Sequence, residues 1–287
     1  MTEPATPATP GTPATPGTSA TPDAPAAPAT PAAHGRELAG TAALVTGASS
    51  GIGEAVALAL AERGAHVTLV ARRADRLQQV AEKITGNGGQ AHAVQADLGD
   101  EPGAHTAVQA AVRAAGRLDI VVNNAGVLLL GPVEDAPTDE WRRMIQLDLM
   151  GVALVTRAAL PHLLDAARSA PRHVADVVNV SSVGGRIATP DTAMYNAAKA
   201  GVNAFSESLR QEVTRRYVRI SVIAPGFVAT ELPLQSRPEV LAALAGGFDP
   251  GPPLAPADVA DALTYTVTRP RHIALNEILL RPTEQVA

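Results

Sequence analysis

Cysteine is absent from this 287-residue chain. Disulfides, thiolate metal sites and cysteine nucleophiles are therefore excluded. Aromatic residues make up only 2% against a hydrophobic fraction of 46%, so any core must be built from aliphatic side chains. Positive charge is not in excess: the formal net charge is −5, which argues against the basic face that a nucleic-acid partner requires. No apolar run approaches 18 residues, so no membrane span is expected. The seven histidines, at 34, 66, 92, 105, 162, 173 and 272, never fall at the H-E-x-x-H or H-x-x-x-H spacing, and no metal site is expected. Only two lysines occur, Lys83 and Lys199; arginine carries the rest of the basic charge.

The beginning of the chain differs from the remainder. Prolines stand at 4, 7, 10, 13 and 16, then at 22, 25, 28 and 31, padded with Ala, Thr and Gly. Such a stretch favours polyproline II and cannot build a packed core, so residues 1–35 are expected to be a disordered tail. A PxxP ligand for a partner is the alternative. The stretch lacks the basic start and apolar run of a secretory signal, and a cytoplasmic location is expected.

From residue 41, short β-branched runs alternate with longer helical patterns. Strands are expected over 41–46, 65–71, 90–96, 118–124, 173–182, 218–225 and 273–282. Helices are expected over 51–63, 74–84, about 103–115, 192–216 and 256–268, with two long stretches near 138–169. The alternation implies βαβ units and right-handed crossovers. Residues 38–287 are thus expected to form one doubly wound α/β domain of Rossmann type. Its seven-stranded sheet is mostly or wholly parallel and flanked by helices. Such sheets bind ligands beyond the C-terminal ends of their strands.

Tyr195 and Lys199 lie one helical turn apart and share a helix face. A cation beside a phenol favours the phenolate and makes it a usable proton donor and acceptor near neutral pH. Alone, the pair also fits a surface coincidence. The first strand, however, runs into Thr46-Gly47-Ala48-Ser49-Ser50-Gly51-Ile52-Gly53. Glycines at 47, 51 and 53 let the backbone approach a phosphate, and the following helix start attracts it. The second strand ends at Ala71-Arg72-Arg73, with no acid to hold a ribose 2′-hydroxyl. Two arginines there suit a 2′-phosphate, which favours NADP over NAD. Asp97-Leu98 ends the third strand, where a carboxylate can accept from an adenine amino group. Asn124-Ala125-Gly126 ends the fourth and offers close approach to a ribose; both segments also fit turn chemistry. Ser181-Ser182 ends the fifth, and Pro225-Gly226 the sixth, with Thr230 four residues past the glycine.

In this order and spacing, TGASSGIG, NNAG, Ser182, YNAAK and PGFVAT resemble the short-chain dehydrogenase/reductase family over essentially all of 38–287. More loosely, LRQEV (209–213) and NEILLRPTEQ (276–285) resemble the branch holding clavulanate dehydrogenase and the NADP-dependent serine and 3-hydroxy-acid dehydrogenases, which implies secondary metabolism. The resemblance implies an NADP(H)-dependent enzyme acting on a small carbonyl or alcohol. Tyr195 becomes the acid/base, Lys199 its partner and a holder of the nicotinamide ribose, and Ser182 the group that orients the substrate oxygen. Gly47, Ser49, Ser50, Gly51, Ile52 and Gly53 hold the pyrophosphate side; Pro225, Gly226, Val228 and Thr230 line the nicotinamide. A homotetramer or homodimer is implied in the same way.

One position departs from the family pattern. Asp148, in the segment 144–151, stands where the family usually has an asparagine that supports a water chain from the lysine to solvent. The backbone carbonyl is kept, while a carboxylate replaces an amide and favours the charged form of Lys199. An alternative reading is therefore a catalytically weakened NADP-binding regulatory or scaffold protein of the same fold. The expected pocket walls are 127–137, 183–194 and the Gly/Pro-rich 226–256. They are largely apolar, with Arg186, Asp191 and Glu231 as exceptions, which suits a moderately apolar carbonyl compound.

Overall fold

Among the described residues, seven strands form where aliphatic and β-branched residues run without a helical period: β1 (Ala42–Thr46), β2 (His66–Ala71), β3 (Gln90–Gln95), β4 (Ile120–Asn123), β5 (Ala175–Val180), β6 (Val218–Pro225) and β7 (Glu277–Leu280). The computed structural model describes residues 1–2, 35–169, 171–244 and 251–286. The proline-rich stretch, and with it the tail expectation, lies outside the described residues. Residues Gly35–Ala287 make one unit. Every strand pairing is parallel, in the order β3-β2-β1-β4-β5-β6-β7. β1, β4, β5 and β6 are buried along their whole length, as strands covered on both faces must be. The edge strands β3 and β7 instead mix exposed and half-buried residues. Chain order reverses between the neighbours β1 and β4, which makes their C-terminal ends the switch point.

The helices are α1 (Gly51–Glu62), α2 (Ala74–Gly86), α3 (Glu101–Ala115), α4 (Thr138–Met144), α5 (Val152–Arg168), α6 (Ala193–Val213), α7 (Pro238–Leu244) and α8 (Pro256–Val267). Val56 and Leu60 of α1, Leu77 of α2 and Leu263 of α8 share one aliphatic layer. Val108 of α3, Val155 and Leu163 of α5, and Leu209 and Val213 of α6 share a second. The site therefore sits at one end of a sheet that is packed from both sides.

Three local differences from the sequence expectation have physical causes. The strands expected over 118–124, 173–182 and 273–282 are shorter. At the last of these, the Arg219 guanidinium, paired with Asp176 at 2.7 Å, donates to the carbonyls of Val267, Arg269 and Ile273. Those hydrogen bonds take the carbonyls of the chain up to Ile273, and pairing with β6 begins only at Asn276, whose carbonyl accepts from the Val222 N–H. The two stretches near 138–169 are one continuous run, because a π-helical turn, Ile145–Gly151, joins α4 to α5. This run of 31 residues is long and apolar enough to cross a membrane by length and composition, contrary to the reading of the apolar runs alone. Its Val152, Val155, Ala159, Leu163, Ala166 and Ala167 are buried in the protein. Finally, α7 lies inside the expected Gly/Pro-rich wall, of which 245–250 fall outside the described residues.

Candidate active site

The glycine loop leaves β1 through Gly47 at φ +67° and enters α1 at Gly51, φ +58°. A side chain disfavours such angles, and glycine adopts them freely. Ser50 occupies the N-cap with extended backbone but no side-chain cap, which leaves the start of α1 open to an anion. A Cβ on Gly53 would lie 2.3 Å from the Gly47 carbonyl oxygen and 2.5 Å from Asn124 Nδ2. Asn124 Nδ2 also donates to the Thr46 carbonyl at 3.0 Å, and Thr46 Oγ1 accepts from the backbone N–H groups of Asn124 and Ala125. The ends of β1 and β4 are thus laced together under the loop. Gly53→Ala is expected to destabilise the fold by roughly 1–3 kcal/mol, measured as a lower urea midpoint. An unchanged midpoint would show that the loop relaxes without cost.

Arg72 and Arg73 stand at the end of β2, as the sequence indicates, but in different surroundings. The exposed Arg72 side chain has no ion pair among the described residues; its carbonyl accepts from Gln95 Nε2. Arg73 donates to Ser49 Oγ through Nε and Nη2, to Ser50 Oγ at 2.6 Å, and to Glu231 at 2.9 Å. Asp97 is exposed, and its Oδ1 accepts from the N–H of Gly99. Leu98 is buried in the second aliphatic layer and Val228 in the first; Ile52 packs against the first. All three side chains are therefore committed to packing within the protein. Gly226 follows the buried Pro225, and a Cβ there would strike Gln285 Oε1 at 2.1 Å. Thr230 Cγ2 lies 3.1 Å from where a Gly51 Cβ would be, so the segment after β6 closes over the glycine loop.

The four catalytic candidates converge at the ends of β4 and β5. Ser182 Oγ accepts from the N–H of Gly184 at 3.0 Å. The Cβ position of Gly184 lies 3.4 Å from Ser182 Oγ and 3.5 Å from Tyr195 Cε1, so both groups border this glycine, and a side chain there would strike Asn196 Oδ1 at 2.6 Å. No described group hydrogen-bonds the Tyr195 hydroxyl. The Tyr195 ring is held by Val127, Leu129 and Met144, which takes Val127 and Leu129 from the expected pocket wall into a buried cluster. Lys199 is buried, with Nζ 5.6 Å from the Tyr195 ring centroid and donating to the Val180 carbonyl at 3.0 Å.

Asp148 lies in the π turn, a backbone feature common at functional sites, and is 0% exposed. Its Oδ1 accepts from the N–H of Val127 at 2.7 Å, while Oδ2 has no hydrogen-bond partner. A Cβ on Gly126 would stand 3.1 Å from that Oδ1 and 3.7 Å from Lys199 Nζ. Burial pushes the Asp148 carboxyl from 3.8 up to about 6, against the opposing pull of Lys199, the Val127 N–H and Arg143.

A polar ladder beneath these groups escaped the sequence reading. Asn123 Nδ2 donates to Thr156 Oγ1 and to Asn179 Oδ1, and Asn179 Nδ2 donates to Ser206 Oγ. Its signal was present: one asparagine in each of two aliphatic strands, at positions that pair in register. The wall charges are largely committed, Arg186 to Glu277 and Glu231 to Arg73.

A doubly wound parallel sheet with a glycine loop at its switch point, and a Ser-Tyr-Lys group beside it, defines an α/β oxidoreductase with a dinucleotide site. The sequence profile described as short chain dehydrogenase matches residues 41–240, and the chain belongs to that family. It is 34% identical over 242 residues to an uncharacterized oxidoreductase of Staphylococcus aureus, covering 84% of this chain and 96% of the relative. It is 36% identical over 248 residues to the glycine betaine reductase ATRR of Emericella nidulans, covering 86% of this chain but 19% of that protein. A solved metagenomic short-chain oxidoreductase in complex with NADP superimposes with a TM-score of 0.72 at 32% identity, covering 86% of this chain and 99% of that one. A short-chain dehydrogenase from Burkholderia cenocepacia in complex with NADP gives 0.73 at 29%, covering 86% and 98%.

Proposed function

We propose that this protein is an NADP(H)-dependent dehydrogenase/reductase acting on a small carbonyl or alcohol. The observation that carries the reading is that Ser182 Oγ and the Tyr195 ring both border Gly184, with the buried Lys199 Nζ 5.6 Å from the ring centroid. Positive-φ glycines, the open start of α1 and two arginines at the end of β2 fit a phosphorylated dinucleotide. Gly47, Ser49, Ser50, Gly51, Ile52 and Gly53 would hold its pyrophosphate side, and Arg72 and Arg73 the 2′-phosphate. Asp97, Leu98, Asn124, Ala125 and Gly126 would face the adenosine half; Pro225, Gly226, Val228 and Thr230 would face the nicotinamide half. When bound, NADPH supplies hydride to the carbonyl carbon.

In this reading the Ser182 hydroxyl donates to the carbonyl oxygen and fixes its position. The Tyr195 hydroxyl gives that oxygen its proton, as a general acid. Lys199 stabilises the phenolate that remains and binds the ribose hydroxyls of the cofactor. Run backwards, the same groups oxidise an alcohol. Complexes with NADP among similar structures favour NADP over NAD, as does the absence of an acid at Ala71. The intact Ser182-Tyr195-Lys199 group favours an active enzyme over a weakened binding protein. In an assay of aldehydes and ketones, NADPH oxidation is expected and NADH oxidation is expected to be much slower. Turnover with NADH alone would overturn the cofactor assignment.

A further inference from the structure

We infer that Glu231 is a built-in competitor for the 2′-phosphate of NADP, holding Arg73 across the mouth of the nucleotide groove until the cofactor replaces it. The inference rests on the nucleotide reading of this groove. Glu231 and Arg73 are 158 residues apart in sequence, on the segment after β6 and at the end of β2, yet Glu231 Oε2 lies 2.9 Å from Arg73 Nη1. Glu231 Oε1 also faces Arg76 Nη1 at 3.8 Å. The other nitrogens of the Arg73 guanidinium are taken by Ser49 and Ser50 of the glycine loop. One carboxylate therefore neutralises the cation best placed for a phosphate, from the opposite bank of the groove.

The pair is built for exchange rather than for stability. Both side chains are about half exposed, at 44% and 51%, so the ion pair is screened and cheap to open. Hydrogen bonding from Arg73, its charge and the charge of Arg76 hold Glu231 below the usual carboxylate range, which keeps it anionic at neutral pH. A phosphate carries more negative charge and three acceptor oxygens, so it competes effectively for the same guanidinium. NAD has no such group and leaves the pair closed. Thr230, next to Glu231, already rests over Gly51, so the bridging segment spans the glycine loop itself. Glu231 is thus a specificity-determining residue that limits how tightly NADP is held.

Calorimetric titration of NADP⁺ and NAD⁺ into the wild type, Glu231→Gln and Arg73→Ala, at one low salt concentration, tests this. Glu231→Gln is expected to bind NADP⁺ roughly two- to five-fold more tightly, the range of an exposed ion pair, with NAD⁺ binding unchanged. Arg73→Ala is expected to weaken NADP⁺ and leave NAD⁺ alone. Unchanged or weaker NADP⁺ binding by Glu231→Gln would overturn the inference, as would an equal gain for NAD⁺. A wild type that binds NAD⁺ and not NADP⁺ would instead sink the cofactor reading on which it rests.

Discussion

Tyr195→Phe is expected to lower the rate of NADPH-dependent carbonyl reduction by about 10²–10⁴-fold, the usual worth of a positioned general acid. The change removes one oxygen. No described group hydrogen-bonds that oxygen, so its loss strands no protein partner. The ring remains in its cluster with Val127, Leu129 and Met144, and phenylalanine fills the same space. The fold should therefore survive with a thermal midpoint close to that of the wild type. The loss should fall on kcat, because the hydroxyl acts where the proton moves. NADP⁺ affinity should fall far less than the rate. A residual rate within about tenfold of wild type would remove Tyr195 from the role of proton donor.

Asp148→Asn should change how stability depends on pH. The carboxyl is buried with Oδ2 unpartnered, and burial raises it from 3.8 to about 6. Between those values the native state binds more protons than the unfolded chain. Stability contributed by this group is therefore full below about pH 4 and is lost as pH rises through about 6. The shift corresponds to about 3 kcal/mol, as an order of magnitude. Asparagine keeps the oxygen that accepts from the Val127 N–H and has no proton to lose in this range. From about pH 4 to pH 7 the variant should gain on the wild type by about 3 kcal/mol, read from urea unfolding at several pH values. Parallel curves would mean that Asp148 titrates normally in the folded protein. The pH–rate profiles should separate as well, because Asp148 lies beside Lys199 across Gly126. Superimposed profiles would take its charge out of the proton path.

What was legible before the structure was mostly local in sequence. The glycine loop, the Tyr195–Lys199 spacing and the position of Asp148 are patterns within a few residues, and each lies in the expected element. The doubly wound sheet was legible because alternating strand and helix periods leave few other arrangements. Less visible was the π turn: the apolar period of 138–169 reads as helix whether the ladder closes at four residues or five. Helix α7 was hidden because seven residues between prolines and glycines look like loop. The burial of the Val228 side chain was not legible either, since it depends on what packs around the chain beyond β6; any contact with the nicotinamide would be through its backbone.

The sequence by itself therefore determined the fold class, the order of the motifs and the candidate reactive side chains, because short-range periodicity and backbone freedom are written in neighbouring residues. Only the tertiary structure decided which polar groups meet. Arg73 finds Glu231, Arg186 finds Glu277, and Asn123 finds Asn179 across distances in sequence that no local pattern spans. It also decided that Asp148 is buried. Burial is a property of everything packed around a residue, and it is burial that turns an ordinary carboxylate into one that titrates near 6.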